Sequence, residues 1–367
     1  MKRIRYGRIA ALVTASALAL TACGNDPGGS DAGSGGGSEQ ESSLSGELNG
    51  AGASSQEAAM NAWKSGFGSA NPDVTVNYDP VGSGGGRTQF GEGAIDFAGS
   101  DAALKDDERA KAKERCGSDA IDLPMYISPI AVVYNLEGVD NLQLSSATVA
   151  GIFDRKITKW NDAKIAADNP DAKLPSSNIT PVNRSDESGT TQNFTEWLAA
   201  TSGGAWSYKP SGEWPLKGGQ SAQGTSGIIQ TVQGGQGTIG YADHSQAGSL
   251  GVAKIKVGDQ WVEPSAEGAA KVVEESPRVE GVPEHDLSIQ LKRDTTTAGA
   301  YPVVLVSYLI VCEKYSDKDK GELVKAFMKY IGSADGQKAA ADSAGSAPLS
   351  EKLQSDVAAS VDSIAAG

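Results

Sequence analysis

The segment RSDESGTT, residues 184–191, places an arginine and several small or hydroxyl-bearing residues directly before an apolar-patterned stretch. The first amide groups of a helix have no intrahelical partners, and the helix dipole adds partial positive charge at that end. Small residues let a ligand approach the backbone, hydroxyl groups add donors, and the arginine adds a fork of donors that never deprotonates. This segment therefore predicts a site for a small anion.

Two further segments share its design of a strand, a turn rich in glycine and hydroxyl groups, and a helix start. They are GAGASS, residues 50–55, and GSGGGR, residues 82–87. Taken alone, each is explained equally well by helix capping or turn formation, which need the same residue types. Three such segments in one chain, one of them with an arginine, favour an oxyanion site.

Motifs for nucleotide binding or hydrolysis do not occur in the sequence. GSGGGRT has neither the spacing nor the lysine of a P-loop, and its glycines do not follow the dinucleotide-binding pattern. Neither G-x-S-x-G nor H-E-x-x-H is present. His244 and His285 stand alone, so we expect no metal site and no cofactor.

Strand-like and helix-like segments alternate along the chain and would position these turns. Residues 74–80 are β-branched and alternating, residues 120–136 hold one or two buried strands with Pro129 as a break, and residues 145–162 have the pattern of one amphipathic helix. Alternation of this kind predicts an α/β fold with mainly parallel sheets. In such folds ligands bind beyond the carboxyl ends of the strands, which favours a cleft between two lobes.

The N-terminus predicts export and anchoring. Four basic residues precede a short apolar run, and the sequence LTACG ends at Cys23, as in a lipoprotein signal peptide of residues 1–22. An ordinary secretory signal with a nearby cysteine is the alternative. Residues 23–44 are rich in glycine and serine and predict a flexible tether, so a lipid on Cys23 would hold the folded part against a bilayer.

The chain is acidic, with a formal net charge of −14. Nucleic acid binding requires a basic face, so this charge argues against a nucleic acid partner. A small buried anion can still be held by local dipoles and charge-assisted hydrogen bonds, so the net charge does not argue against an oxyanion site.

Two cysteines follow Cys23. Because an exported chain meets an oxidising compartment, a disulfide between Cys116 and Cys312 is expected, with two buried free thiols as the alternative.

Seven segments in order closely resemble the phosphate-binding protein of bacterial phosphate-specific ABC transporters: GAGASSQEAAMNAW, VGSGGGRTQF, DFAGSDAAL, ITKWND, LPSSNITPVNRSDESGTTQNF, GTIGYAD and AYPVVLVSYLIV. The resemblance extends from about residue 45 to the C-terminal helices. It implies a two-lobed periplasmic-binding-protein fold of type II-like architecture, closing on phosphate about two crossing segments. The implied lobes are residues 45–128 with 295–367, and residues 129–294.

The resemblance also assigns phosphate-binding roles in the first two turns. It implies a hydroxyl donor at Ser54, a backbone amide donor at Ser55, and a hydroxyl donor at Ser83. Asp101, in FAGSD, matches the carboxylate that accepts a hydrogen bond from the ligand. The family more often has Thr-Phe where this chain has Ser54-Ser55, so the donor role of Ser54 should survive while the aromatic packing is lost.

In the third turn the resemblance implies ligand donors at Arg184, Ser188 and Thr190 and at the amide of Gly189. Asp186 matches an acid that pairs with the arginine. These roles predict a receptor, not an enzyme, whose partners are inorganic phosphate, the permease of the transporter and, through Cys23, the lipid bilayer.

Three other functions are compatible with parts of the sequence. The first is a binder of another oxyanion such as sulfate or molybdate on the same fold, against which Asp101 argues, because sulfate has no proton to donate to a carboxylate. The second is an exported phosphatase, which would need a metal cluster or an activated nucleophile. The third is a signalling or adhesion lipoprotein with a degenerate site.

Overall fold

A computed structural model describes residues 44–367, so the predicted signal peptide, Cys23 and all but the last residue of the predicted tether lie outside the described residues. The described part contains fourteen strands. In chain order they are β1 Gly46–Gly52, β2 Val74–Asp79, β3 Phe97–Ser100, β4 Ala120–Asn135, β5 Gln143–Leu144, β6 Thr180–Arg184, β7 Gln220–Ala222, β8 Thr238–Asp243, β9 Gly251–Val252, β10 Lys254–Val257, β11 Gln260–Val262, β12 Val304–Cys312, β13 Lys314–Tyr315 and β14 Ala365–Ala366.

Helices alternate with the longer strands, as the sequence predicts for an α/β fold. Eleven α-helices occur within residues 44–367, and none of them is both long and apolar enough to cross a membrane. They are α1 Glu57–Ala70, α2 Ser83–Gly91, α3 Asp106–Cys116, α4 Ser146–Phe153, α5 Ala163–Asp168, α6 Gly189–Thr201, α7 Gly224–Gly234, α8 Ala266–Glu274, α9 Lys318–Gly332, α10 Ala334–Ala344 and α11 Glu351–Ser363.

One nine-stranded sheet organises the fold, in the order β2-β1-β3-β12-β4-β8-β6-β7, with β9 paired to β4. At one end β1 pairs in parallel with both β2 and β3, and at the other β6 pairs in parallel with both β7 and β8. We call β1–β3 with α1–α3 the first lobe, and β6–β8 with α6 and α7 the second lobe. The antiparallel strands β4 and β12 lie between these two parallel ends.

Strand β4 is one continuous element of sixteen residues that serves both ends of the sheet. It pairs with β12 from Ala120 to Pro129 and with β8 from Ile130 to Asn135. A proline has no amide hydrogen to donate to a ladder, and Pro129 lies where β4 changes partners. The sequence predicts a break at this proline, whereas the structure shows a change of neighbour within one strand.

The prediction of one helix over residues 145–162 is wrong beyond its first half. Ser145 caps α4 by accepting a hydrogen bond from the Thr148 amide, but the helix ends at Phe153. Arg155 has a φ of +59°, a left-handed conformation that cannot continue a right-handed helix. Asp162 then caps the separate helix α5. The apolar residues between the two helices therefore lie in a loop that packs against the core.

Aromatic side chains fill the core of the second lobe next to the third predicted turn. Phe194 and Tyr241 stack with ring centroids 4.3 Å apart, and Phe153 packs edge-on against both. The Tyr241 hydroxyl lies 2.7 Å from Thr191 Oγ1 and accepts a hydrogen bond from the Arg184 amide at 3.3 Å. Burial raises the pKa of Tyr241 to about 12, so its hydroxyl keeps its proton at neutral pH.

The two cysteines in the described part form a disulfide. Cys116, the last residue of α3, is bonded to Cys312, the last residue of β12, with their Cα atoms 5.5 Å apart. The bond ties the outer end of a first-lobe helix to the central strand on which that lobe packs.

Candidate functional site

The three predicted turns follow β1, β2 and β6, and they converge with Asp101, which follows β3, where the two lobes meet. All eight residues predicted to bind the ligand are buried: Ser54, Ser55, Ser83, Asp101, Arg184, Ser188, Gly189 and Thr190. Hydrophilic side chains are rarely buried unless hydrogen bonds compensate for the loss of water. The hydrogen bonds they make show how each side chain is oriented.

Asp101 lies at the centre of the cluster, directly after β3. Ser55 Oγ donates to its Oδ1 at 2.6 Å from the first lobe, and Thr190 Oγ1 donates to its Oδ2 at 2.8 Å from the second lobe. Asn193 Nδ2 donates to its carbonyl oxygen at 2.7 Å. The carboxylate is thus fixed by both lobes, and each of its oxygens has a further lone pair with which to accept another hydrogen bond.

The prediction for Ser55 concerned its backbone amide, but its side chain has a role of its own. A phenylalanine at this position could not donate to Asp101 Oδ1, so the serine replaces packing by a hydrogen bond to the acceptor carboxylate. Burial raises the pKa of Asp101, while the hydrogen bonds from Ser55 and Thr190 and the charge of Arg184 oppose that rise.

Three serine hydroxyls share one arrangement, in which each oxygen accepts from a backbone amide. Ser54 Oγ accepts from Thr225 N at 2.9 Å, Ser83 Oγ from Asp101 N at 3.2 Å, and Ser188 Oγ caps α6 by accepting from Thr191 N at 3.2 Å. A hydroxyl that accepts in this way retains its own proton for donation to another group. The arrangement therefore leaves each of the three serines able to donate its hydroxyl proton.

Gly189, the first residue of α6, allows the second and third turns to touch. A Cβ atom placed on it would lie 2.6 Å from Ser83 Oγ and 2.7 Å from Asp101 Cβ, closer than real Cβ contacts. Any larger residue would push the lobes apart here, so the α6 N-terminus reaches Asp101 only because this residue is glycine.

Arg184, the last residue of β6, is held by Asp186. Its Nε donates to Asp186 Oδ1 at 2.8 Å and its Nη2 donates to Oδ2, a bidentate pair. Burial would raise the pKa of Asp186, but the hydrogen bonds and charge of Arg184 lower it. None of the hydrogen bonds within residues 44–367 uses Arg184 Nη1, so the guanidinium keeps donor capacity while its position is fixed.

A fourth turn, which the sequence did not single out as part of a site, completes the cluster. Gly224 and Thr225 begin α7, with Gly224 at a φ of +69°. The Gly224 amide donates to Asp186 Oδ1 at 3.1 Å, and Thr225 Oγ1 lies 3.1 Å from Ser54 Oγ. The segment GTSG, residues 224–227, has the same glycine and hydroxyl pattern as the three predicted turns, so the signal that could have identified it was present in the residue types.

No group of three or more histidine, cysteine, aspartate or glutamate side chains within residues 44–367 is arranged to hold a metal ion.

The two-lobed fold with a polar cluster between its lobes defines a periplasmic-binding-protein class of molecule, and residues 37–335 match the PBP superfamily domain. The chain is 37% identical over 376 residues to phosphate-binding protein PstS 3 of Mycobacterium tuberculosis, with both chains covered in full. It is 37% identical to PstS 2 of the same organism over 371 residues, covering 99% of this chain and 100% of the relative. The chain belongs to the PstS phosphate-binding protein family, whose members are extracytoplasmic substrate-binding proteins and not enzymes.

Solved structures share the fold. A high-affinity periplasmic phosphate-binding protein, PfluDING, solved with bound phosphate, has a TM-score of 0.68 at 22% identity, covering 86% of this chain and 93% of that one. A putative phosphate ABC transporter substrate-binding protein from Clostridium perfringens has a TM-score of 0.58 at 19% identity, covering 82% and 98%. The expected α/β, two-lobed periplasmic-binding-protein fold is confirmed.

Proposed function

We propose that this protein is a receptor that binds inorganic phosphate between its lobes and delivers it to the permease of an ABC transporter. The observation that carries the proposal is one acceptor carboxylate, Asp101, placed among serine hydroxyls that can donate, the α6 N-terminus and the Arg184 guanidinium. Phosphate near neutral pH still carries a proton, so it can donate to Asp101 while its other oxygens accept from the donors.

This arrangement supports discrimination against sulfate. Fully ionised sulfate cannot donate, so its oxygen would face the Asp101 carboxylate with like charge and unpaired lone pairs. An unmade hydrogen bond to a buried group costs about 1–3 kcal/mol, more for charged groups, which corresponds to roughly a hundredfold in affinity.

Titration calorimetry tests the proposal. Residues 44–367 form one compact unit, so this part of the chain is titrated with phosphate and then sulfate after endogenous phosphate has been removed. We expect a dissociation constant of about 1 μM or tighter for phosphate, on the order of −8 kcal/mol, and no heat with sulfate. Equal heats would place Asp101 outside the recognition step and favour a general oxyanion binder, and no heat with either anion would contradict the proposal.

The anchoring is a separate part of the proposal. The sequence around Cys23 supports a lipid-modified cysteine followed by a flexible tether that leaves the lobes free to approach the permease. In cells that carry the full chain, we expect the wild type in the membrane fraction and the Cys23→Ser variant outside it. Membrane retention of the variant would contradict lipid attachment at this residue.

We also propose that the lobes are residues 45–128 with 295–367 and residues 129–294, moving about the two connecting segments. The change of partner of β4 at Pro129 supports the first boundary. Phosphate binding can close the lobes only as far as the anion binds the closed arrangement better than the open one.

A further inference from the structure

Glu187, between Asp186 and Ser188 of the third turn, makes contacts across the cleft that do not involve the proposed ligand-binding groups. Its Oε1 accepts from Arg87 Nη2 at 2.8 Å and from Lys105 Nζ at 3.0 Å. Its carbonyl oxygen accepts from the Gly84 amide at 3.2 Å. All three partners belong to the first lobe, whereas Glu187 belongs to the second.

Glycines make room for this side chain on both sides. A Cβ on Gly84 would lie 2.2 Å from Glu187 Oε2, and a Cβ on Gly212 would lie 3.1 Å from Glu187 Cγ. The second predicted turn, GSGGGR, thus has two roles. Its backbone leaves space for the Glu187 carboxylate, and its Ser83 hydroxyl belongs to the candidate site.

Arg87 is prepared for this contact by its own lobe. Its Nε donates to both carboxylate oxygens of Glu108 at 2.9 Å, and its Nη1 donates to Ser100 Oγ at 2.8 Å. Its side chain is only 1% exposed. With three hydrogen bonds fixed within the first lobe, the remaining nitrogen Nη2 is held toward Glu187, so little side-chain entropy is lost when the lobes meet.

Separation of the lobes must break the three hydrogen bonds of Glu187 to Arg87, Lys105 and Gly84 but leaves the bonds of Arg87 to Glu108 and Ser100 intact. An interaction that exists only in the closed arrangement stabilises that arrangement relative to the open one. When closure accompanies binding, such an interaction raises the apparent affinity and slows dissociation, even though it never touches the ligand.

We propose that Glu187 is a positioning residue that latches the closed cleft through Arg87 and Lys105 and so sets the rate of phosphate release. This inference rests on the proposed phosphate-binding function. In this proposal Glu187 determines how long phosphate stays bound, whereas Asp101 determines the discrimination between phosphate and sulfate.

The sign of one substitution separates the latch from a simple charge effect. Glu187 neighbours groups proposed to bind an anion, so removing its negative charge would strengthen phosphate binding if only long-range attraction mattered. Loss of a latch has the opposite effect. Glu187→Gln keeps the shape and an acceptor oxygen but loses the charge, and it is therefore the most informative variant.

Stopped-flow measurements on wild type and variants test the proposal, with phosphate as the ligand and sulfate as the competitor. For Glu187→Gln we expect affinity for phosphate to fall roughly tenfold, almost entirely through faster dissociation, since a partly buried charged pair is lost. Lys105→Gln should give a two- to threefold loss, because the Lys105 side chain is 49% exposed. The double variant should release phosphate at the same rate as Glu187→Gln, to within about twofold. The two changes are not additive, because both remove the same interaction between Glu187 and Lys105.

Two further readouts complete the test. Asp342→Asn is the matched control, since Asp342 is 66% exposed on α10 and loses the same charge far from the cleft contacts; phosphate release should not change. Added salt should accelerate release from the wild type more than from Glu187→Gln, because salt screens the exposed pair. The ratio of phosphate affinity to sulfate affinity should be the same in the wild type and in Glu187→Gln.

Unchanged or tighter phosphate binding by Glu187→Gln overturns the latch. A weaker affinity that comes only from slower association overturns it as well, and so does a lower phosphate-over-sulfate affinity ratio. Lys105→Gln, at an exposed position, tests the latch a second time without depending on how well a substitution in the buried turn folds. A wild type that binds no phosphate overturns the proposed function and the latch together, whereas a failure of the variants alone overturns only the latch.

Discussion

Two arginines of this protein, the half-buried Arg109 and the buried Arg184, sit among carboxylates in different ways. Arg109 on α3 donates to Asp286 Oδ2 at 2.8 Å and to Asp122 Oδ2 at 3.1 Å, so one cation lies between two anions. Arg184 is paired with one acid, Asp186, through Nε and Nη2. In the first group two carboxyl groups share one cation, whereas in the second group one cation is paired with one carboxyl group and keeps donor capacity.

The difference shows how a buried ion pair can be structural or can be part of a binding site. Asp122 accepts from the Leu104 amide and Asp286 from the Asp122 amide, so the Arg109 cluster joins backbone segments of the fold. Burial and the charge of Asp286 raise the pKa of Asp122, and the charge of Arg109 opposes that rise. The acid beside Arg184 fixes the arginine without consuming all its donors, which suits a reversible ligand.

The largest effect is expected at the arginine of the site. Arg184→Met should lower phosphate affinity a hundredfold to a thousandfold, because truncating one partner of a buried, hydrogen-bonded charge contact costs about 2–5 kcal/mol. Calorimetry measures the loss. Lys338→Met, on α10 with a side chain 71% exposed, loses the same charge and should bind normally. Normal binding by Arg184→Met would remove the distinction between the two arginines.

The next effect concerns stability. Arg109→Met should lower the free energy of unfolding by about 3 kcal/mol, because two buried carboxylates lose their shared cation. Phosphate affinity of the folded protein should not change. Urea unfolding followed by fluorescence checks this, with Lys113→Met as the control, because the Lys113 side chain on the same helix is 63% exposed. An unfolding loss as large for Arg184→Met would show that the Arg184 pair is also mainly structural.

Asp101 should govern discrimination. Asp101→Asn should reduce the phosphate-over-sulfate ratio roughly a hundredfold, because an amide can donate to sulfate where the carboxylate repels it. Burial raises the pKa of Asp101, so this carboxyl group becomes protonated at a higher pH than an exposed aspartate does. Lowering the pH should therefore reduce the phosphate-over-sulfate affinity ratio of the wild type, as the Asp101→Asn substitution does. Competition titrations with sulfate from neutral pH downward measure both effects.

The smallest effect extends the comparison to a buried acid without a cation. Asp243 Oδ1 accepts from Tyr126 at 3.1 Å and from the Ser245 amide at 3.0 Å, and its Oδ2 has no hydrogen-bond partner within residues 44–367. Burial raises the pKa of Asp243 to about 7. The folded state therefore binds more protons than the unfolded chain below this pH, and stability falls as pH rises through it.

Between pH 6 and pH 8 this titration should lower the free energy of unfolding by about 1.4 kcal/mol relative to the Asp243→Asn variant, which does not titrate. Urea unfolding at several pH values gives the difference. A constant difference across this range would mean that Asp243 stays in one protonation state.

The sequence predicted the parts of the site that depend on local chemistry. Ser188 and Gly189 stand at the start of α6 and Arg184 ends the strand before it, and these residue types alone indicate anion recognition there. The role of the Ser55 side chain could not be derived in this way, because its partner Asp101 is 46 positions away. The Arg87–Glu187 pair spans 100 positions, and many charged residues of the chain would be equal candidates.

The fold was predictable where periodicity and turn chemistry agree, as for β6 followed by α6. Residues 154–162 were assigned wrongly because their apolar residues fit a helical period, while a left-handed residue at Arg155 ends the helix. Nothing in the residue type of Arg155 requires that conformation. The parallel ends of the sheet follow from alternating strands and helices, but the partner exchange along β4 depends on tertiary packing.

The disulfide described above closes a covalent ring that includes all of residues 129–294, one of the two proposed lobes. Cys116 and Cys312 are 196 positions apart, and the closed covalent ring between them contains β6–β8, α6, α7 and the whole of β4 and β12. A protease that cuts one surface loop of that ring leaves two fragments joined by sulfur. The nicked protein should therefore migrate as a single intact species on a non-reducing gel and separate only when a thiol is added.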